Sequence, residues 1–278
     1  MILLDGKKIS EELNLKLKEK ISLINEKLRL DLIIIGKNPA SLSYIKAKEK
    51  ACEKVGITSK IHALEEDIAQ EEVIKLIEKL NKDKDVTGIL LQLPVPNHLD
   101  EELLIDLIVD KKDVDGFCTT NQGKLFKNRK TIYPATPYGI IRLLDSYEIE
   151  LLGKNCVVIG RSSIVGMPIA KMLIDRNATV TVCHSKTKDI SLYTKNADLV
   201  VVAIGEPKFL KKEMIKDNAI IIDVGINRVE GKIVGDCDFE SIKDKVGYVT
   251  PVPGGVGPMT ISSLLENTFN LSLLKNIS

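Results

Sequence analysis

The chain lacks any uninterrupted apolar run approaching the roughly 20 residues that a membrane-spanning helix requires. It also lacks net charge of either sign, with 40 basic residues against 39 acidic ones and a formal +1. That balance removes the global attraction that draws a protein to nucleic acid or to an anionic membrane, so a charged ligand has to be met locally. Closely spaced cysteines are missing as well. The five present, Cys52, Cys118, Cys156, Cys183 and Cys237, include no pair at metal-ligand spacing, and no metal site is expected. An odd cysteine count, and an opening MILLDGKK with too few apolar residues for a signal-peptide core, predict reduced thiols and a cytoplasmic location.

What the chain does have is hydrophobic content. At 44% of 278 residues it suffices for one large core or two ordinary ones, and it excludes the disordered class. Apolar periodicity alternates between helix-like and strand-like almost from the start. Residues 10–28 read as an amphipathic helix capped by Ser10, with Leu13, Leu17, Ile21, Ile24 and Leu28 on one face. The run LDLIII (30–35) reads as a buried strand. A helix near 41–54, a strand near 57–63, a helix near 70–81, a strand at 86–93 and a helix near 100–108 follow. Strands separated by helices predict a parallel sheet with helices on its faces.

Residues 110–135 break this rhythm. A helix opens again at Thr136-Pro137, and strands are expected at 156–159, 179–183, 198–204 and 219–224. The fold class predicted is α/β, with two lobes joined near 136 around a cleft. The first comprises residues 1–136 with the last helix, 260–278, and the second is a Rossmann-type parallel sheet over 137–259.

Two local patterns carry chemistry. In CVVIGRSSIVGMPIAKML (156–173) a strand runs into Gly160 and a helix begins near Gly166, a turn that aims backbone N–H groups and a helix dipole at an anion such as a pyrophosphate. Ser162 stands where the second glycine of G-x-G-x-x-G would be, and such a turn can also be purely structural. The next strand ends in His184-Ser185-Lys186-Thr187-Lys188 rather than in the carboxylate that suits NAD. With Arg161 nearby, these groups suit a 2′-phosphate, hence NADP; the alternative is a solvated basic loop.

The second pattern is SLSYIKAKEK (41–50), where Tyr44 and Lys48 lie four apart and share a helix face. Alone, such a pair is either surface decoration or part of a site. Gln92 ends an apolar strand in LQLPVP, and Asp113 and Asp115 lie in KKDVDGF, where one aspartate can serve only to shape the turn at Gly116. Convergence of Tyr44, Lys48, Gln92 and Asp115 would make a polar cluster at one mouth of the first sheet.

Eight segments together resemble the bifunctional methylenetetrahydrofolate dehydrogenase/methenyltetrahydrofolate cyclohydrolase family. They are NPASLSYIKAKEKACEKVGI (38–57), GILLQLPVP (88–96), KKDVDGF (111–117), TPYGI (136–140), IGRSSIVGMP (159–168), ATVTVCHSKT (178–187), DVGIN (223–227) and TPVPGGVGPMT (250–260). Each is modest alone, but their shared order and spacing make the likeness specific, and it covers nearly the whole chain.

The resemblance implies Lys48 as the catalytic lysine, Tyr44 against the folate ring, Gln92 as partner of the lysine, and Asp115 as the carboxylate holding the pterin. It implies Gly160, Arg161, Ser162, Ser185 and Ile226 as NADP contacts, and a loop containing Pro253 and Gly254 that borders the substrate. Asp113 is weighted as structural. The implied reaction is NADP-dependent oxidation of 5,10-methylenetetrahydrofolate, then hydrolysis to 10-formyltetrahydrofolate, in a cytoplasmic homodimer of one-carbon metabolism. A lysine ammonium ordinarily keeps its proton near neutral pH, so acid/base work by Lys48 requires burial or adjacent positive charge.

Three departures stand out: Cys118 where histidine is common, PATP (134–137) where PCTP is usual, and Cys237 in place of a common valine. Other readings are a dehydrogenase-only relative, a shikimate- or amino-acid-type dehydrogenase, and a non-catalytic dinucleotide-binding protein. The second would leave SLSYIKAKEK and LQLPVP unexplained. The third would favour loss of Lys48, Gln92 or Asp115, and all three are present.

Overall fold

The structure, a computed structural model, describes residues 1–275. From the N-terminus, strand β1 (Ile2–Leu3) precedes helix α1 (Gly6–Ser22), strand β2 (Arg29–Ile35), helix α2 (Pro39–Val55) and strand β3 (Thr58–Leu64). Helix α3 (Gln70–Lys82), strand β4 (Gly88–Leu91) and helices α4 (Glu101–Leu107), α5 (Thr119–Phe126) and α6 (Ala135–Ser146) follow. Next come β5 (Asn155–Ile159), α7 (Gly166–Asp175), β6 (Thr179–Cys183), α8 (Ser191–Thr194), β7 (Leu199–Val202) and β8 (Ile220–Asp223). The remainder is β9 (Asn227–Val229), β10 (Lys232–Val234), α9 (Phe239–Ile242), β11 (Tyr248–Val249) and α10 (Val256–Lys275).

These elements divide into two units. The first is Glu12–Ala135 with the chain from Ile261 onward, and the second is Met1–Glu11 with Thr136–Thr260. In the first, strands run parallel in the order β3-β2-β4. Leu30, Leu32 and Ile34 of β2 face a core shared with Leu17, Ile45, Cys52, Leu264 and Phe269. Its alternate residues Ile33 and Ile35 pack with Val73, Ile77 and Leu104 on the other side. A central parallel strand covered on both faces reads as an unbroken apolar run, which is why LDLIII was legible. The one charge in that run, Asp31, is fully buried and held by Arg29 Nε at 2.9 Å and His62 Nε2 at 3.0 Å.

The second unit is built on a six-stranded parallel sheet in the order β1-β11-β8-β7-β5-β6. Strands β6 and β7 leave β5 on opposite sides, which makes the C-terminal end of β5 a topological switch point, the place where open α/β sheets take ligands.

Several expectations need correction. Residues 1–11 were expected with the first lobe, but Ile2 and Leu3 pair with Tyr248 and Val249 at the edge of the second sheet. Two-residue strands carry no periodicity and exist only through their partner. Helix α1 starts at Gly6, not Ser10, because the Asp5 carboxylate accepts from Lys8 N at 3.0 Å; Ser10 lies inside, bonded to Lys7 O at 2.8 Å. It also stops at Ser22, so Ile24 and Leu28 lie beyond it. Helix α6 begins at Ala135, which puts Thr136 within the helix rather than at its cap. The irregular stretch 110–135 contains α5, unforeseen because only Leu125 and Phe126 of TTNQGKLF are apolar.

Candidate active site

Helix α2 lies on β2 and β3 and turns the stripe Ile45, Lys48, Cys52 and Val55 toward the sheet. A lysine therefore occupies a core-facing register. Its side chain is only 7% exposed, whereas Lys46 and Lys50 point to solvent. Lys48 Nζ donates to Gln92 Oε1 at 3.0 Å.

Gln92 sits one residue past β4. Its N–H continues the ladder to Ile33 O at 2.8 Å, and its Nε2 donates to Leu93 O at 2.8 Å. The amide is thereby oriented with its oxygen toward the lysine. Desolvation lowers the Lys48 pKa, and the nearby Asp115 charge acts in the opposite direction. Gln92 presents an acceptor without adding a full negative charge to that opposition.

Asp115 is brought to the lysine by the segment before it. Residues 112–114 run beside β4, with Ile89 N bonded to Lys112 O at 2.7 Å and a parallel bridge between Ile89 and Asp113. Gly88 is required there, since a Cβ would come 2.2 Å from Val114 Cγ1. The Asp115 carboxyl keeps some surface exposure, yet the protein around it desolvates it enough to raise its pKa to about 6. The Lys48 ammonium moderates that rise and Asp113 adds to it. Tyr44, one turn before Lys48, is half-buried, and desolvation raises its phenol above the ordinary value.

Asp113 is the scaffold for this turn. Its Oδ1 accepts from Gly116 N at 2.9 Å, and its Oδ2 accepts from Cys118 N at 2.9 Å and Asn121 Nδ2 at 3.0 Å. Asn121 was not picked out from sequence; its Oδ1 takes Thr131 Oγ1 at 2.8 Å, tying α5 to the turn. Asn267 on α10, also missed, donates to Val114 O at 2.8 Å and Tyr133 O at 2.9 Å. Cys118, at the position where histidine was noted as usual, is buried, and desolvation pushes its thiol to about 12, so it is inert in acid/base chemistry near neutrality.

In the second unit, β5 runs into Gly160 at φ +120°, where a Cβ would lie 2.3 Å from Ala203 O. Gly166, opening α7, has the same constraint against Gly160 O at 2.3 Å. Ser162 Oγ accepts from Val165 N and Gly166 N, each at 3.2 Å. The serine thus ties the turn to the first residue of α7, a role that a glycine at this place could not fill. Among the described residues, the N–H groups of Arg161, Ser162 and Ser163 take no backbone carbonyl, so the turn can accept an anion.

Arg161 is exposed. Ser185 is exposed at the tip of a turn in which His184 N donates to Thr187 Oγ1 at 3.0 Å and Thr187 N to His184 O at 2.8 Å. Ile226 is exposed after β8. Pro253 is exposed and Gly254 adopts φ +110° in the loop before α10. No group of His, Cys, Asp or Glu arranged to hold a metal occurs among the described residues. None of the described helices is long and apolar enough to cross a membrane.

Residues 4–115 match the tetrahydrofolate dehydrogenase/cyclohydrolase catalytic domain, and residues 134–276 match the NAD(P)-binding domain of the same family. The chain belongs to the tetrahydrofolate dehydrogenase/cyclohydrolase family. The bifunctional protein FolD of Acholeplasma laidlawii is 53% identical over 98% of this chain and 98% of its own. The solved structure of the bifunctional enzyme FolD from Campylobacter jejuni is similar at a TM-score of 0.96 with 50% identity, covering 99% of each chain. The Trypanosoma brucei methylenetetrahydrofolate dehydrogenase-cyclohydrolase, solved with NADP and an inhibitor, gives a TM-score of 0.95 at 34% identity, covering 100% of this chain and 99% of that one.

Proposed function

We propose that this chain oxidises 5,10-methylenetetrahydrofolate with NADP and hydrolyses the methenyl product to 10-formyltetrahydrofolate, with Lys48 as general acid/base of the hydrolysis. The observation that carries this reading is the buried Lys48 amine held at 3.0 Å by Gln92 Oε1, with Asp115 beside it. The first unit binds the folate: Tyr44 lies against the ring system, and the Asp115 carboxylate accepts from the pterin.

The second unit binds NADP on the Gly160–Ser162 turn, with Arg161 and Ser185 at the 2′-phosphate and Ile226 against the nucleotide. NADP, when bound, accepts the hydride that leaves the methylene bridge. The methenyl cation that results is attacked by water; the water adds its oxygen to the one-carbon unit, a proton is released and the ring opens. A neutral amine at Lys48 takes the proton from that water and returns it as the ring C–N bond breaks. Burial already favours the neutral amine, and the cationic substrate favours it further.

The balanced charge of the chain supports the absence of nucleic acid or an anionic membrane as partner, and the odd, scattered cysteines support a cytoplasmic location. The family resemblance supports a homodimer through the second unit, which sedimentation would test. One assay tests the activity as a whole. With 5,10-methylenetetrahydrofolate and either NADP or NAD, methenyl absorbance should appear with NADP and then decay. Appearance without decay would leave a dehydrogenase alone, and no appearance with either nucleotide would overturn the proposal.

A further inference from the structure

Among the described residues, two carboxylates are buried in the second unit with no cation against them. Asp236 is fully buried and Asp223 is 4% exposed. Each is satisfied by N–H donors. Asp223 Oδ1 accepts from Gly225 N at 3.0 Å and Asp236 N at 2.9 Å, and its Oδ2 accepts from Cys237 N at 2.9 Å. Asp236 Oδ2 accepts from Ile204 N at 2.8 Å and Gly205 N at 3.0 Å, and its Oδ1 from Asn227 Nδ2 at 2.8 Å. Gly225 has to be glycine, because a Cβ would stand 2.1 Å from Asp236 Oδ1.

Burying a carboxylate costs several kcal/mol before its hydrogen bonds compensate, so a residue that merely filled space here would be apolar. What Asp236 accomplishes is to join two loops. One, Ala203–Gly205, leaves the C-terminal end of β7 and meets the Gly160 turn, with Ala203 O at 2.3 Å and Ile204 Cγ2 at 3.5 Å from the position a Gly160 Cβ would take. The other leaves β8 and carries exposed Ile226 between Gly225, fixed through Asp223, and Asn227, fixed through Asp236. Both loops therefore border the switch point beside the anion-accepting turn.

We infer that Asp236 is a positioning residue for the nicotinamide nucleotide, setting the loops at 204–205 and 225–227 that form the nucleotide-binding edge of the sheet. This rests on the reading that the Gly160 turn holds NADP. The Asp236–Asn227 pair permits a reciprocal exchange. In Asp236→Asn the amide oxygen can still accept from Ile204 and Gly205, but its NH2 then faces that of Asn227. In Asn227→Asp two carboxylates face each other. The double variant restores a donor–acceptor pair with the polarity reversed.

The experiment measures NADPH affinity by fluorescence titration without folate, together with cyclohydrolase turnover, which consumes no nucleotide. Each single variant should weaken NADPH binding roughly tenfold, equivalent to about 1.4 kcal/mol. Cyclohydrolase rate should stay near wild type, and the double variant should recover affinity to within about threefold, or roughly 0.7 kcal/mol. Wild-type affinity in Asp236→Asn, or a folded double variant that fails to recover, would overturn the inference.

If Asp236→Asn does not fold, Asn227→Ala, at a partly exposed site, replaces it. That variant should also weaken NADPH binding while sparing the cyclohydrolase, and unchanged affinity would overturn the inference. Arg161→Ala separates the two readings. If it leaves NADPH affinity untouched, the assignment of the nucleotide to this turn is wrong. If it weakens binding while Asp236→Asn does not, only the positioning role is wrong.

Discussion

Lys48 Nζ and Gln92 Oε1 are 3.0 Å apart, and the Gln92 amide is kept from flipping because its Nε2 donates to Leu93 O at 2.8 Å. The lysine thus has an oriented neutral acceptor where a second carboxylate would hold it protonated. Lys48→Met removes the amine that is to take the proton from water and return it, while leaving Asp115 in place. Cyclohydrolase turnover should fall by at least ~10²–10⁴-fold, the usual worth of a positioned general acid/base. The circular dichroism spectrum and melting temperature should be preserved, since burying methionine in place of an amine removes a desolvation cost. Hydrolysis at the wild-type rate would remove Lys48 from the mechanism.

Gln92→Glu tests the neutrality of that acceptor. A carboxylate at hydrogen-bond distance favours the ammonium, so the Lys48 pKa should rise and the acidic limb of the cyclohydrolase rate profile, where the rate climbs as the amine loses its proton, should move to higher pH. At neutral pH the rate should drop about tenfold or more, recovering partly as pH is raised. A profile superimposable on wild type would mean that the amine does not set the rate.

Asp115 gives a pH dependence of its own. Its carboxyl titrates at about 6 in the folded chain, against an ordinary 3.8. Pterin binding through the carboxylate should therefore weaken as pH falls through about 6, seen as a rising KM for the folate, and Asp115→Asn should lose that inflection together with most of the affinity. The effect on stability runs the other way. A folded-state pKa above the unfolded one means that the folded chain retains a proton the unfolded chain releases. The contribution is fully present below about 3.8 and is lost as pH rises through about 6. Denaturant titrations from pH 4 to 7 should show a shallower decline in Asp115→Asn; an identical decline would place the titration elsewhere.

The parts of this protein legible in its sequence are those fixed by local pattern. Strands β2, β5, β7 and β8 are apolar runs because both sheet faces are covered, and α3 shows its face through Val73, Ile77 and Leu80. Gly160 announced its turn, and the Tyr44/Lys48 spacing announced a shared helix face. One stronger signal was available: Lys48 falls in the stripe of Ile45, Cys52 and Val55, where a solvated lysine does not belong. Asn121, Asn267 and Asp236 were illegible for a different reason. Each acts on backbone or side-chain groups distant in sequence, such as Val114 O for Asn267 and Ile204 N for Asp236, and no spacing rule encodes such a contact. Strand β1 was hidden likewise, since it is defined by its pairing with β11.

The turn that presents Asp115 should fail when Asp113 is truncated. Asp113→Ala leaves Gly116 N, Cys118 N and Asn121 Nδ2 without their carboxylate acceptor in a buried environment. Stranding buried donors costs ~1–3 kcal/mol each, less than additively within one network, so a loss of about 2–4 kcal/mol is expected by urea denaturation. Folate affinity should fall as the turn loosens. A melting curve identical to wild type would contradict the scaffolding role.

Gly160→Ala addresses the second unit by a separate route. The position holds φ +120°, and the added methyl would stand 2.3 Å from Ala203 O, a backbone atom that cannot swing aside as a side chain can. Relief requires β5 and the loop after β7 to part. That costs ~1–3 kcal/mol of stability and draws the N–H groups of residues 161–163 out of line with a bound pyrophosphate. NADPH affinity should drop by more than tenfold while cyclohydrolase turnover, which uses no nucleotide, persists at temperatures where the variant remains folded. If nucleotide affinity survived alongside a lowered melting temperature, the glycine would be required for packing alone and the pyrophosphate would have to lie elsewhere.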